Sequence, residues 1–340
     1  SLMQRSTMQD AISAPKVGGI VRLTKFILQG TFLIELVGAI LMLPVFCRDY
    51  GWKGIWMSVF HSVSAFCNAG FDILGTTEQT FPSLTGYIAN PLINLVIMLL
   101  IVIGGIGFLT WDDFCTNKWN LKRYRLQSKI ILVTTAVLIL LPAIFFFLSD
   151  FAGFSMGKRI LASFFQSVTL RTAGFNTADL GAMNDSSKAI MTLMMLIGGS
   201  PGSTAGGMKT TTIAVLILNA FATFGREAET EVFGRRFDNT VVKNAATIAI
   251  LYFFLFFTGG IAISQIEHVA LSDCLFETAS AVGTAGLTLG ITTELGLVSH
   301  LILVVLMYLG RVGGLTLIYA AISVKIQSGA KRPLDKITVG

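Results

Sequence analysis

The chain has 340 residues, 53% hydrophobic and only 13% charged, with a mean hydropathy of +0.73 and a formal net charge of +6. A soluble domain carries about 25% charge, so this composition excludes an ordinary water-soluble globule and assigns much of the surface to lipid. The four cysteines, Cys47, Cys67, Cys115 and Cys274, include no CxxC pair, which argues against a zinc centre or a disulfide framework.

In chain order, residues 1–25 are polar and read as a connector. Residues 26–111 then form a first repeat: an apolar span at 26–46, a short apolar segment at 54–66, the motif Asn68-Ala69-Gly70-Phe71, and a second span at 92–111. Residues 112–129 are a connector with five Lys or Arg. The second repeat, 130–224, has a span at 130–149, a short segment at 157–170, the motif Thr172-Ala173-Gly174-Phe175, and a span at 189–224 interrupted by glycine. A connector at 225–244 leads to the third repeat, 245–320. It has a span at 245–265, a short segment at 270–282, the motif Thr284-Ala285-Gly286-Leu287 and a span at 298–320, followed by a tail at 321–340. Crossing a bilayer takes roughly 20 apolar residues. The short segments fall below that and read as re-entrant helices.

The motif glycines are separated by 104 and 112 residues, and a phenylalanine stands ten residues before each: Phe60, Phe164 and Phe276. Three copies at the same place in each repeat exceed what chance glycines in a membrane protein would give. A short helix ending at a pore axis aims the negative end of its dipole there. The glycine after it adopts backbone angles closed to other residues. The carbonyls of Asn68, Ala69, Gly70, Thr172, Ala173, Gly174, Thr284, Ala285 and Gly286 then replace the water shell of a cation, as filter carbonyls do in channels. Unpaired carbonyls at membrane depth are tolerated where they line a watery cavity. The side chains of Asn68, Thr172 and Thr284 brace these loops or join the coordination. Arg171 beside the second motif is expected to point behind it, towards an acid such as Asp179 or Glu277; Asp72 reads equally as an outer-mouth attractor or as an ordinary exposed acid.

The interrupted span contains Gly198-Gly199-Ser200-Pro201-Gly202-Ser203-Thr204-Ala205-Gly206-Gly207, then Met208 and Lys209. No helix runs through such a stretch. A phosphate loop is rejected, because Met208 stands where that motif requires lysine and no strand precedes it. The expectation is a flexible cavity-lining loop that acts as a gate. Arg311, in the middle of the last span, carries a charge that is costly in a bilayer and marks function by default; it is expected to latch onto the carbonyls of this loop. Glu35 reads as a packing contact in the first span.

Segments 1–25, 112–129, 225–244 and 321–340 hold 17 Lys or Arg against 8 acids, whereas the other connections hold 6 against 10. The positive-inside rule places the first set, and with it both ends of the chain, in the cytoplasm. All three repeats then run in the same direction, unlike the inverted repeats of many coupled transporters. The basic charge orients the protein and does not recruit nucleic acid. The expected fold is an all-α polytopic membrane protein built from tandem parallel repeats of span, re-entrant pore helix, filter loop and span. A coupled secondary transporter of another small cation is the first alternative. A membrane-embedded enzyme is disfavoured, because His61, His268 and His300 are isolated and the spans lack clustered acids.

On Ser64-Ala65-Phe66-Cys67-Asn68-Ala69-Gly70-Phe71, Leu170-Arg171-Thr172-Ala173-Gly174-Phe175, the loop from Gly198 to Lys209, and Arg311, the chain resembles the Trk/Ktr/HKT superfamily of potassium transporters, nearest to its KtrB-type membrane subunits. The resemblance covers nearly the whole chain. It implies four units around a pseudo-fourfold pore, of which these three match the second, third and fourth. The start of the chain then corresponds to the connector after a first unit. It further implies potassium uptake across a bacterial plasma membrane, stimulated by sodium and gated by the glycine-rich loop facing Arg311. The implied partners are a second copy, making a homodimer, and a KtrA-like cytosolic ring; any nucleotide binds that ring, and this chain carries no cofactor beyond its ions.

Overall fold

A computed structural model describes residues 19–76, 82–227 and 229–313. The expected connector over 1–18, the end of the last span over 314–320 and the tail at 321–340 lie outside the described residues.

Eleven α-helices follow one another among the described residues. α1 (Ile20–Tyr50) leads into the short α2 (Lys53–Phe66), and α3 (Pro91–Gly105) is followed by α4 (Phe108–Asn117). α5 (Leu126–Leu148) precedes the short α6 (Met156–Thr169), then α7 (Asp185–Leu196) and α8 (Thr210–Phe224). α9 (Asn239–Glu267), the short α10 (Leu271–Val282) and α11 (Leu297–Val312) complete the series. By length and composition α1, α5 and α9 are able to cross a membrane, and α3 with α4 forms a fourth such stretch if taken together. Their side chains agree: Phe32, Leu33, Leu141 and Phe254 are exposed, an arrangement that lipid stabilises and water does not. This is a helical membrane protein.

The expected span at 92–111 is bent in the structure. The chain turns through 97° between α3 and α4, in the run Gly104-Gly105-Ile106-Gly107. Gly107 takes φ 92°, which the helix cannot continue through, and the N–H of Phe108 is turned outward to the carbonyl of Gly202 at 2.7 Å. The all-helical expectation also misses one hairpin. β1 (Glu231–Val232) pairs antiparallel with β2 (Arg235–Arg236). Phe233 and Gly234 between them have φ 52° and 69°, the two positive values of a tight hairpin turn, and Arg236 bonds Glu229 at 2.5 Å.

Three apolar clusters fix the short helices. Phe46, Phe66, Ile97, Phe165 and Phe175 belong to the first, Phe146, Leu170, Met195 and Phe276 to the second, and Met208, Val282 and Leu303 to the third. The first cluster joins α2 to the following repeat through α6, and the second joins α7 to α10. Each short helix is therefore packed against its own repeat and a neighbouring one, which converges the loops that follow them.

Candidate functional site

α2, α6 and α10 end just before Asn68, Thr172 and Thr284. In α2 the termination is a left-handed cap. Asn68 takes φ 50°, its N–H donates to Ala65 O at 3.1 Å, and the N–H of Ala69 reaches back to Ser64 O at 2.9 Å, the bond pattern of a Schellman stop. α10 repeats it: Thr284 takes φ 53°, with Thr284 N donating to Ala281 O at 3.1 Å and Ala285 N to Ser280 O at 2.8 Å. Thr172 takes φ 66° and α6 closes through Ala173 N to Thr169 O at 3.1 Å.

Each motif then returns to positive φ at its glycine: 70° at Gly70, 86° at Gly174 and 83° at Gly286, with alanine of ordinary φ between. A backbone that alternates handedness turns successive carbonyls towards one side. The cost is real: positive φ is an outlier for a β-branched residue, and such strain is of order 1–3 kcal/mol per residue and concentrates at functional positions. The sequence pointed to the glycines. It missed the left-handed residue two places before each of them, which a helix stop written X-Ala-Gly would have revealed.

The three loops meet at their glycines. A methyl carbon added to Gly70 would strike the carbonyl oxygen of Ala173 and stand 2.8 Å from Gly174 Cα; one added to Gly174 would stand 2.5 Å from Ala285 O and 3.3 Å from Gly70 Cα. One added to Gly286 has Gly174 Cα at 3.8 Å as its nearest neighbour among the described residues. The side chain of Asn68 links two loops, its Nδ2 donating to Arg171 O at 3.3 Å and lying 3.2 Å from Thr172 Oγ1. Asn68 Oδ1 and Thr284 Oγ1 are buried without a hydrogen-bond partner. Two unsatisfied oxygens beside convergent backbone are a costly arrangement.

Arg171 does not find the acid expected of it. It is buried, with its guanidinium 3.5 Å from Thr135 Oγ1, while the carboxylate of Glu277 is taken by Thr288, Thr292 and the N–H of Leu289. Asp179 bonds the N–H of Gly181 instead. Asp72 accepts from Leu74 N at 3.0 Å, and Glu35 receives the thiol of Cys67 at 3.9 Å.

The glycine-rich stretch between α7 and α8 forms a loop with hydrogen bonds at its base and along its length. Its base is closed by Gly198 N donating to Met208 O (2.8 Å) and Thr210 N to Gly199 O (3.0 Å). It is tied to α3 by Ser200 N to Gly105 O (2.9 Å) and Thr204 N to Gly104 O (3.2 Å), and to the end of α2 by Thr204 Oγ1 to Phe66 O (2.9 Å). Ser203 Oγ donates to Ser200 O at 2.7 Å. Pro201 and Gly202 face Gly107, where an added methyl carbon would lie 2.7 Å from Pro201 O. Ala205 is buried. Gly206 and Gly207 lie under the third motif: a Cβ on Gly206 would collide with Thr284 Oγ1, and one on Gly207 would be 2.8 Å from Gly283 O. Two cations grip the loop from the far side. Lys209 Nζ donates to Ala205 O and Arg311 Nη1 to Thr204 O, both at 2.8 Å.

Three short helices ending in left-handed stops, glycines in mutual contact and a loop wedged against them belong to a polytopic helical membrane protein, and among the described residues no cluster of His, Cys, Asp or Glu could hold a metal ion. Comparison with known proteins gives the family. The model of the TrkH family, described as cation transport protein, matches residues 1–330, and the chain belongs to that family; it is a cation transport protein and not an enzyme. The "Potassium/sodium uptake protein NtpJ" of Enterococcus hirae is 34% identical over 352 residues, spanning 100% of this chain and 76% of the relative. The "Ktr system potassium uptake protein B" of Bacillus subtilis is 33% identical over 346 residues, with the same two coverages of 100% and 76%. Among solved structures, the potassium transporter TrkH from Vibrio parahaemolyticus superposes with a TM-score of 0.73 at 19% identity, covering 94% of this chain and 69% of that one. That likeness establishes the fold.

Proposed function

We propose that this protein takes up potassium through a filter lined by the backbone carbonyls of residues 68–70, 172–174 and 284–286. The observation that carries the reading is the contact between glycines 70, 174 and 286 at the ends of three separate short helices, with the same sign pattern of φ in each loop. Carbonyls presented at one point, aided by three helix C-termini, favour a cation and disfavour an anion. The relatives named for potassium uptake support potassium as the ion, and the potassium/sodium name of the Enterococcus relative supports a sodium effect on transport.

In this reading the repeats 26–111, 130–224 and 245–320 are the second, third and fourth units of a pseudo-fourfold ring, with α2, α6 and α10 as re-entrant pore helices. The loop at 198–207, held by Lys209 and Arg311, is the gate beneath the filter. The basic connectors, and both ends of the chain, face the cytoplasm of a bacterial plasma membrane. A cytosolic ring of nucleotide-binding subunits acts on the gate from that side, two copies of the membrane subunit associate, and potassium and sodium are the only ligands of this chain.

The test is potassium uptake by cells stripped of their own uptake systems and expressing the full-length gene together with a regulatory subunit. Wild type restores uptake with half-saturation that shifts on adding sodium, and Gly286→Ser abolishes the preference for potassium over sodium. Failure of a well-expressed wild type to move potassium would return the protein to the coupled-transporter reading.

A further inference from the structure

Each short helix ties the stretch beyond its own glycine back onto itself, but the chemistry differs. In the first repeat Ser64 Oγ donates to the carbonyl of Phe71 at 2.8 Å, and in the second Thr169 Oγ1 donates to that of Phe175 at 2.5 Å. Both are hydroxyls six or five residues before the glycine, holding the residue just after it. In the third repeat Leu287 occupies that place, and among the described residues no side chain bonds its carbonyl.

Glu277 takes over with the polarity reversed. Its Oε1 accepts from Thr288 Oγ1 at 2.7 Å and from Leu289 N at 2.9 Å, and its Oε2 accepts from Thr292 Oγ1 at 2.6 Å. Gly290 N in turn donates to Thr288 Oγ1 at 2.9 Å, and Gly290 itself takes φ 101° so that the chain can curl around the carboxylate. The side chain is buried, 4% exposed, and no ion pair involves it among the described residues. Burying a carboxylate against neutral donors alone is expensive, and the nearest charge on its own helix, Asp273, is of the same sign. Such a group is retained for what it holds in place.

We propose that Glu277 is a specificity-determining positioning residue: its carboxylate fixes the loop over residues 288–292, and through it the carbonyls of Thr284, Ala285 and Gly286, at the spacing a potassium ion requires. This deepens the filter reading and rests on it. A filter selects by the number and placement of its oxygens; with the third loop released, its carbonyls close onto smaller ions.

The experiment compares potassium and sodium uptake by the full-length protein in wild type, Glu277→Gln, Glu277→Leu and Thr292→Val, with Gly286→Ser as the filter control and membrane abundance measured for each. Glutamine keeps an acceptor for Thr288 and Leu289 and a polar partner for Thr292, so its ion preference stays within about twofold of wild type. Leucine of similar size removes all three bonds. It lowers the preference for potassium on the order of tenfold, the worth of a lost charge-assisted hydrogen bond. Should the leucine variant fail to accumulate, Thr292→Val, which removes one bond of the three, decides by a smaller shift in the same direction. The proposal is overturned if Glu277→Leu, or Thr292→Val in its stead, keeps the wild-type preference while Gly286→Ser loses it. It is equally overturned if glutamine loses as much as leucine, which would make the charge and not the bonds the operative feature. A Gly286→Ser protein with unaltered preference would instead reject the filter reading itself.

Discussion

Arg311 and Thr204, 107 residues apart in sequence, meet at 2.8 Å, with Nη1 of the arginine donating to the backbone carbonyl of the loop. The next carbonyl, that of Ala205, is held by Lys209 at the same distance, and the two cations repel each other. The loop is thereby held by a pair of bonds that work against their own electrostatics. A hydrogen bond to a charged group is worth about 1.5–3 kcal/mol, and every 1.4 kcal/mol is a factor of ten in an equilibrium. Arg311→Met is expected to raise potassium flux about tenfold at unchanged ion preference, read as initial uptake rates in the absence of the regulatory subunit. Flux equal to wild type would make the latch a passive support.

Gly174 sits between the other two motif glycines, and a methyl carbon there would press on Ala285 O at 2.5 Å. It also holds φ 86°, so no substitution avoids the penalty. Gly174→Ser is expected to displace the third loop as well as its own, and to lose the preference for potassium over sodium by tenfold or more. Uptake of the two ions measured side by side tests this, and a preserved ratio would remove Gly174 from the ion path.

The left-handed residue two places before the glycine gives a prediction of a different kind. Asparagine, enriched in that conformation, already fills the place in the first motif, whereas Thr284 is forced into it. Thr284→Asn relieves part of a strain of order 1–3 kcal/mol and keeps a side-chain oxygen at the site. The variant is expected to melt no lower than wild type in detergent and to retain potassium uptake. Thr284→Val keeps the strain and removes the partnerless oxygen. It is expected to accumulate normally and transport potassium several-fold more slowly. Equal rates for asparagine and valine would show that the hydroxyl has no part in transport.

Much of this was legible in the chain. The short helices fall within a residue or two of the segments expected at 54–66, 157–170 and 270–282, because a 13- or 14-residue apolar stretch ending at glycine has few other solutions in a membrane. The opposition of Arg311 to the glycine-rich loop was foreseen on the cost of burying a charge. Arg171 was expected to turn towards an acid such as Asp179 or Glu277, because a search by charge overlooks the neutral donors that both carboxylates find, three of them gathered around Glu277 by a curled loop. The 97° turn after Gly105 was also hidden. Hydropathy sees an unbroken apolar run there, and the acceptor that receives the N–H of Phe108 after the turn, the carbonyl of Gly202, lies nearly a hundred residues downstream.

That turn supplies the last prediction. Gly107 is where α3 hands over to α4, and its φ of 92° lets the N–H of Phe108 reach Gly202 O at 2.7 Å. An added methyl carbon would meet Pro201 O at 2.7 Å and would be strained in any case. α4 continues to Asp112 and Asp113, which Arg125 holds at 2.6 and 3.7 Å, with Ser128 Oγ donating to Asp113 at 2.6 Å. The loop is therefore joined through one backbone bond to a helix that is itself anchored at the start of α5. Gly107→Ala should break that bond while leaving the Arg125 anchor intact. The expected result is a loop that exchanges its amide protons faster at residues 200 and 202–205, with α5 unaffected, and a basal potassium leak several-fold above wild type. Hydrogen exchange and uptake measured on the same preparation check both halves. A protected loop in the alanine variant would mean that its other bonds, to Gly104, Gly105, Phe66, Lys209 and Arg311, are sufficient to hold it.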